Sequence, residues 1–87
     1  MSKRKKKPKY FFYILKCKDK SLYCGITKDL NNREIIHNLG KGSAYVRSRG
    51  GGKIVYSEIY KKIGGALRRE IEVKKWPRSR KLKLIKN

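Results

Sequence analysis

Acidic side chains are scarce in this sequence. Six Asp and Glu residues stand against 26 Lys and Arg, which gives a formal net charge of +20. Such a charge opposes compaction by self-repulsion and is most simply explained by a polyanionic partner, for which nucleic acid is the leading candidate. The scarcity also argues against a site with two metal ions, because several carboxylates are needed to hold such ions about 4 Å apart.

Cysteine, histidine and long apolar runs are also in short supply. Cys17 and Cys24 are too few for a disulfide framework, lack CxxC spacing and have only His37 to join them in a zinc site. We expect two reduced thiols. The alternative of a redox-sensitive cysteine pair across a hairpin stays open.

No apolar run approaches the roughly 18 residues of a spanning helix, and the N-terminus lacks the apolar stretch of a signal peptide. We therefore expect a cytoplasmic protein without a membrane partner.

The length of 87 residues predicts one small domain with a thin core. Residues 1–9 form a block of like charges that cannot bury apolar surface. We predict a disordered basic arm over 1–9, whose Lys3, Arg4 and Lys5 contact phosphates, and a single folded domain over 10–87. A nuclear-import signal is also compatible with such an arm.

Two runs rich in aromatic and branched residues predict a β-hairpin with strands over 10–17 and 22–27. A three-residue loop, 19–21, pairs Tyr13 with Thr27 and places Tyr13 and Tyr23 on one sheet face. The opposite face is then entirely apolar. A two-residue loop would separate the tyrosines and mix the apolar set, so the hydrophobic pattern favours the register that brings the tyrosines together.

The rest of the chain predicts helices and a third strand. Asp29 is suited to cap a helix that runs to about residue 38, and Gly40 to end it. The apolar side chains available for its packing are Leu30, Ile35, Ile36 and Leu39. Residues 40–53 hold five glycines and predict a mobile basic loop.

A third strand over 54–60 is expected to pair with the hairpin, and a helix over 66–76 ends at Pro77. A short basic helix over 78–85 closes the domain with Leu82 and Ile85. The predicted fold class is therefore α/β (α+β), a small three-stranded antiparallel sheet flanked by helices.

Arg33 and His37 stand four residues apart, so one helical face can present both to the pocket that holds Tyr13 and Tyr23. This ordered set resembles the GIY-YIG nuclease family. FFYIL stands where the family's first tripeptide falls and YCG where its second falls. The likeness extends over about the whole chain from 10 to 85 and favours the short stand-alone bacterial branch. The departures are a first tripeptide without its glycine, Cys24 in place of an aliphatic residue, and Gly64 and Gly65 where a polar helix cap is more usual.

The resemblance implies a metal-dependent nuclease and places Glu70 as the ligand of one Mg²⁺ or Mn²⁺ ion, with no small-molecule cofactor. Mg²⁺ accepts as few as one carboxylate while it keeps waters and a phosphate oxygen. The other acids lie in a turn, a cap or a strand or point away from Arg33, with Glu72 as the next choice. Taken alone, Glu70 is an ordinary surface glutamate in helical ion pairs.

The resemblance also implies roles for the other four residues. Arg33 clamps the scissile phosphate with its planar fork, and His37 takes or relays a proton or bonds the phosphate. Tyr13 and Tyr23 surround the attacking water, and one of them is the general base. A phenol with a reference pKa near 10 needs local positive charge for that role, which Arg33, a metal and the net charge would supply. Taken alone, each of these side chains is more often packed or solvated.

We expect an endonuclease that hydrolyses DNA and selects branched, nicked or single-stranded substrates in repair or recombination. Four residues of the basic loop are expected to contact nucleic acid: Lys41, Tyr45, Arg47 and Arg49. Two alternatives stay open. One is a non-catalytic RNA-binding or ribosome-associated protein, and the other is a domain of the same fold that has lost cleavage and only binds or recruits.

Overall fold

The structure, a computed structural model, describes residues 9–86. The elements follow one another as β1 (Tyr10–Cys17), β2 (Leu22–Thr27), α1 (Leu30–Asn38), α2 (Ala44–Ser48), β3 (Gly52–Tyr60), α3 (Ile63–Lys74) and α4 (Arg78–Lys86). The strands form an antiparallel sheet in the order β2-β1-β3. The predicted fold class is confirmed. Apart from Lys9, the predicted basic arm with Lys3, Arg4 and Lys5 lies outside the described residues.

The β1–β2 hairpin has a three-residue loop, as predicted, but the loop begins one residue earlier. It spans 18–20, and Lys20 takes φ 71°, the left-handed conformation that such a loop needs at its last position. Tyr13 consequently pairs with Gly25 and not with Thr27. Because the pairing moves by two residues, each side chain keeps its predicted face. The two tyrosines do share one face.

Each face of the sheet carries its own apolar cluster. One cluster includes residues of α3 and α4, and its buried members are Phe12, Ile14, Cys24 and Val73. The other includes residues of α1 and α2, and its buried members are Tyr13, Leu15, Cys17 and Val46. Both cysteines are free and lie on opposite faces. The redox pair across the hairpin is therefore wrong, because a disulfide needs sulfur atoms on the same side.

Asp29 caps α1 as predicted, since its Oδ1 accepts a hydrogen bond from Asn32 N at 3.0 Å. Gly40 follows the helix with φ 76°. The predicted packing of Ile35 and Leu39 is wrong, because these side chains are 57% and 64% exposed. Polar contacts to the sheet hold this helix in addition to its apolar ones.

Glu34 and Asn38, one helical turn apart, bind the backbone of β3. Ile54 N donates to Glu34 Oε1 at 2.6 Å. Asn38 makes two hydrogen bonds with Gly52, one accepted by Oδ1 at 3.0 Å and one donated by Nδ2 at 2.9 Å. Since β3 is an edge strand, these bonds satisfy backbone groups that a free edge would expose. They also fix α1 against the sheet.

The segment 40–53 is not a loop throughout, which corrects the prediction. Residues 44–48 form α2, and Ser43 Oγ caps it by accepting from Tyr45 N at 3.1 Å. Val46 anchors this helix in the core, fully buried. One turn of helix is too short to show a hydrophobic period in the sequence. The Ser43 cap and the buried Val46 side chain therefore stabilise this helix without such a pattern.

The third helix, α3, begins three residues before the predicted start at 66, so Gly64 and Gly65 lie in its first turn. A Cβ on Gly65 would lie 2.9 Å from Tyr60 Cδ1, so glycine permits this close approach to β3. β3 begins at Gly52 in place of 54, and α4 extends one residue beyond its predicted end.

Leu84 and Ile85 of α4 pack against the core, and Leu84 thus takes the place predicted for Leu82. None of the helices within residues 9–86 is long and apolar enough to cross a membrane.

Candidate active site

Tyr13 of β1 and Tyr23 of β2 lie on the sheet face covered by α1 and α2. Tyr13 is fully buried and Tyr23 half-buried, with ring centroids 6.3 Å apart. Gly25 lies opposite Tyr13, and a Cβ there would approach Tyr13 Oη to 2.5 Å. Glycine at this position therefore leaves the space that the Tyr13 hydroxyl occupies.

The single histidine closes this cluster from α1. His37 is 1% exposed, and its Nε2 lies 2.9 Å from Tyr13 Oη. Ser43 N donates to His37 Nδ1 over 3.4 Å, and a Cβ on Gly42 would approach the same nitrogen to 2.5 Å. Because Nδ1 accepts, we infer that Nε2 carries the ring proton and donates to Tyr13.

Burial sets the charge states of this pair. Burial and, to a smaller degree, the Arg33 guanidinium lower the pKa of His37, so the ring is neutral at pH 7. Burial also raises the pKa of Tyr13, and the adjacent Arg33 opposes this shift without reversing it. Tyr13 is consequently a neutral phenol at pH 7. Arg33 and the net charge do not by themselves stabilise the phenolate.

Arg33 lies one helical turn before His37, and its charge acts on both Tyr13 and His37, as their spacing predicts. Its Nε atom is buried and has no hydrogen-bond partner within residues 9–86. A buried unpaired donor costs about 1–3 kcal/mol. Such a donor beside two buried polar side chains indicates a group available to bind a ligand oxygen.

Tyr45 and Arg49 extend this cluster to the surface. Tyr45 of α2 stacks on Tyr23 with centroids 5.8 Å apart and planes at 29°, and the Arg49 guanidinium lies 3.8 Å from the Tyr45 ring centroid. Arg49 Nε also pairs with Asp19 Oδ2 at 3.3 Å. The other two loop residues predicted to contact nucleic acid are exposed: Lys41 and Arg47.

Glu70 approaches β2 from α3, on the opposite face of the sheet. Its side chain is 16% exposed and lies 3.9 Å from Lys74 Nζ, and its charge acts on Cys24. Over residues 9–86, no group of three or more His, Cys, Asp or Glu side chains is placed to hold a metal ion. A metal here would have Glu70 as its protein ligand, with waters and a phosphate oxygen completing the shell.

The acids other than Glu70 already have closer partners. Each of these five acids makes a hydrogen bond or an ion pair of 3.1 Å or less. The five are Asp19, Asp29, Glu34, Glu58 and Glu72. In the described part of the chain, Glu70 has the single pair at 3.9 Å. Its carboxylate is a hard oxygen donor and therefore fits Mg²⁺ or Mn²⁺.

The sequence interpretation missed Gly42 and Ser43, which position the buried histidine. One signal was present, because Ser43 precedes a short apolar segment in the manner of an N-cap. The close approach of Gly42 to His37 depends on the path of the chain after α1, which no local pattern encodes.

The sheet order, the tyrosine pair on one face and the arginine and histidine one turn apart define a GIY-YIG domain. Residues 9–83 match the family described as the GIY-YIG catalytic domain. The chain therefore belongs to the GIY-YIG family, and the predicted resemblance is confirmed. Its domain is that of a nuclease acting on nucleic acid, in a family that generally uses a divalent metal.

Several small proteins resemble this chain over most of its length. A UPF0213 protein of Staphylococcus epidermidis is 49% identical over 77 residues, which cover 88% of this chain and 94% of that protein. A UPF0213 protein of Staphylococcus aureus is 47% identical with the same coverage. A UPF0213 protein from Bacillus halodurans, whose solution NMR structure is known, is 38% identical to this chain. The two structures align over 90% of this chain and 83% of the Bacillus protein, with a TM-score of 0.57.

Proposed function

We propose that this protein is a divalent-metal-dependent endonuclease that hydrolyses phosphodiester bonds of DNA. The observation that carries the proposal is the buried Nε donor of Arg33, which lacks a partner among residues 9–86, while the Arg33 guanidinium acts on the pKa of both members of the buried Tyr13–His37 pair. A phosphate oxygen would supply the missing acceptor in a charge-assisted hydrogen bond.

Arg33 binds the scissile phosphate and stabilises the negative charge that develops on its oxygens. Neutral His37 donates to the Tyr13 oxygen and fixes its position. Tyr23 is half-buried and contacts the attacking water at the surface of the cluster, while the phenolate form of Tyr13 accepts a proton from that water and becomes the phenol. A divalent ion held by Glu70, on the other face of the sheet from Tyr13, would supply further positive charge to the oxygens of the substrate phosphate.

The basic side chains around the site suit recognition of phosphates, which carry no sequence information. We therefore propose that the protein selects DNA by its structure, acts on branched, nicked or single-stranded regions, and serves repair or recombination in the cytoplasm. The net charge of +20 supports the phosphate component of this recognition.

Glu70→Gln is expected to lower the rate of cleavage about 100-fold, because the neutral amide holds a divalent ion less well than the carboxylate. The measurement uses labelled duplex, nicked, branched and single-stranded DNA with Mg²⁺ or Mn²⁺. Glu72→Gln, at a position on the same helix that is 55% exposed, is the matched control and retains the wild-type rate.

The same assay separates the alternatives. If wild type and Glu70→Gln bind DNA equally and neither cuts any substrate with either metal, the nuclease proposal fails and a non-catalytic nucleic-acid-binding protein takes its place. If intact duplex is cut as fast as branched DNA, the proposed selection by structure fails while the nuclease stands.

Cleavage is expected to accelerate with pH between 7 and 9. The pKa of Tyr13 is raised from a reference near 10, so its phenolate fraction increases up to about tenfold per pH unit in this range. His37, with a lowered pKa, is already neutral there and adds no slope. Single-turnover rates at saturating metal test this, and Tyr13→Phe should remove the slope. A wild-type rate that does not change with pH would exclude Tyr13 as the base.

A further inference from the structure

A cavity of about 220 Å³ opens at the outer edge of β2, beside the tyrosine pair. Six residues line it: Leu22, Tyr23, Cys24, Tyr45, Lys74 and Lys81. Three of them are consecutive in β2, and consecutive strand side chains point to opposite faces. The cavity therefore lies across the edge of the sheet and is open to both faces.

The two sides of this edge cavity differ in chemistry. Tyr45 and Tyr23 stack on one side, and Tyr45 is 39% exposed. Lys74 of α3 and Lys81 of α4 form the other side. Cys24 lies between them, 5% exposed, and burial raises the pKa of its thiol, so the floor is neutral at pH 7. An aromatic wall thus faces a cationic wall.

The edge cavity adjoins the candidate active site at two points. Tyr23 belongs to both, and Lys74 lies 3.9 Å from the Glu70 carboxylate. The Lys74 side chain is 68% exposed and its ion pair is long, so its ammonium group is free to turn toward a ligand. A group bound in the cavity would therefore be a direct neighbour of the group bound at the active site.

We propose that the edge cavity binds one unpaired nucleotide of the DNA substrate, with its base against Tyr45 and Tyr23 and its phosphate between Lys74 and Lys81. The inference rests on the proposed nuclease function, because it places this nucleotide beside the scissile phosphate. Aromatic faces stack on any base, and ammonium groups bind phosphate as point charges. A base inside a duplex cannot enter until it leaves its stack, so the site selects unpaired DNA irrespective of sequence.

Fluorescence anisotropy in EDTA tests the inference without cleavage. Three short labelled duplexes are compared: one fully paired, one with a single unpaired nucleotide, and one with the same unpaired position lacking its base. Wild type is expected to bind the second about tenfold more tightly than the other two, because stacking needs a free base. Tyr45→Leu should remove this preference, and Tyr45→Phe, which keeps the ring, should retain it.

The lysines are tested by a pair of charge-matched double variants. Lys74→Gln with Lys81→Gln and the control Lys75→Gln with Lys83→Gln each remove two positive charges from the α3 and α4 segments. The control lysines are exposed and do not line the cavity. Both double variants should weaken binding to all DNA through lost phosphate attraction, but only the first should lose the preference for the unpaired nucleotide.

Equal affinity of wild type for the three duplexes would overturn the inference, and so would an equal loss of preference in the two double variants. Because no metal is present, the outcome is independent of the nuclease proposal. If wild type cleaves DNA but shows no preference for the unpaired nucleotide, the proposed nucleotide site is wrong and the nuclease proposal stands. If wild type shows this preference but cleaves no DNA in the metal assay, the nucleotide site is supported and the proposed nuclease function is wrong.

Discussion

Arg33→Met is expected to lower the rate of DNA cleavage about 1,000-fold, because it removes the donor proposed to bind the phosphate and the charge proposed to stabilise the transition state. The fold should survive. Methionine keeps the length and apolar stem of the side chain, and Arg33 Nε has no partner within residues 9–86 to lose. A thermal midpoint close to that of wild type is expected, since the cost of burying an unpaired donor disappears while the interaction of Arg33 with Tyr13 is lost.

Two further measurements separate a role in the site from a general loss of charge. Arg33→Lys keeps the charge but not the planar fork, so it should recover only part of the rate. In Arg33→Met, the pKa of His37 measured by NMR should rise, because Arg33 contributes, after burial, to its lowering. An unchanged cleavage rate in Arg33→Met would remove Arg33 from the mechanism, and an unchanged His37 pKa would contradict the described geometry.

The side of the sheet on which Tyr13 and Tyr23 lie was predictable from sequence, although their pairing was not. Strand side chains alternate with a period of two, so any hairpin loop that shifts the pairing by two residues leaves every face unchanged. The loop itself lies one residue earlier, at 18–20, and its last residue, Lys20, takes the left-handed conformation that such a loop needs. The sheet face on which a side chain lies is therefore predicted more reliably from sequence than the residue with which it pairs.

Long-range polar contacts could not be predicted in the same way. Glu34 and Asn38 look like solvated helix residues in sequence, yet they bind the backbone of β3. Likewise, the sequence pattern predicts a mobile loop around Tyr45, whereas the Ser43 cap makes Tyr45 part of a helix, and its ring stacks on Tyr23. Each contact joins segments that are distant along the chain, so the hydrophobic periodicity within one segment does not predict it.

Scarcity of acids made the candidate metal ligand easier to predict. The chain has six carboxylates, and five of them have close partners in the structure. Glu70 is the acid whose described partner is distant, at 3.9 Å. The role of Glu70 as a metal ligand stays a prediction, which the Glu70→Gln variant tests.

Glu58 is the acid with the largest structural role. Its carboxylate accepts hydrogen bonds from Tyr56 Oη, from Tyr60 Oη at 2.6 Å, and from Arg69 Nε and Nη2 at 3.0 and 3.1 Å. Burial would raise the pKa of Glu58, but these hydrogen bonds outweigh burial and hold the pKa below its usual value. Burial and the hydrogen bond to Glu58 raise the pKa of Tyr60 to about 12. One carboxylate thus joins β3 to α3.

Glu58→Ala is expected to destabilise the domain by about 3 kcal/mol, because it leaves two phenols and a partly buried guanidinium without their shared acceptor. For a domain of this size, such a loss lowers the thermal midpoint by about 12 to 24 °C. Thermal unfolding followed by circular dichroism measures it. Glu72→Ala is the matched control: it removes the other carboxylate bound to Arg69, at an exposed position, and should cost about 1 kcal/mol or less.

The dependence of this stability on pH gives an independent check. Since the folded pKa of Glu58 is below its unfolded value near 4.3, its contribution is present above that pH and is lost as the pH falls through the folded value. Wild type should therefore lose stability below about pH 4.3, and Glu58→Gln should be less stable at pH 7 but lose less on acidification. If both proteins lose the same free energy between pH 7 and 3, the Glu58 carboxylate is not the charge that joins β3 to α3, because that charge is absent from the variant.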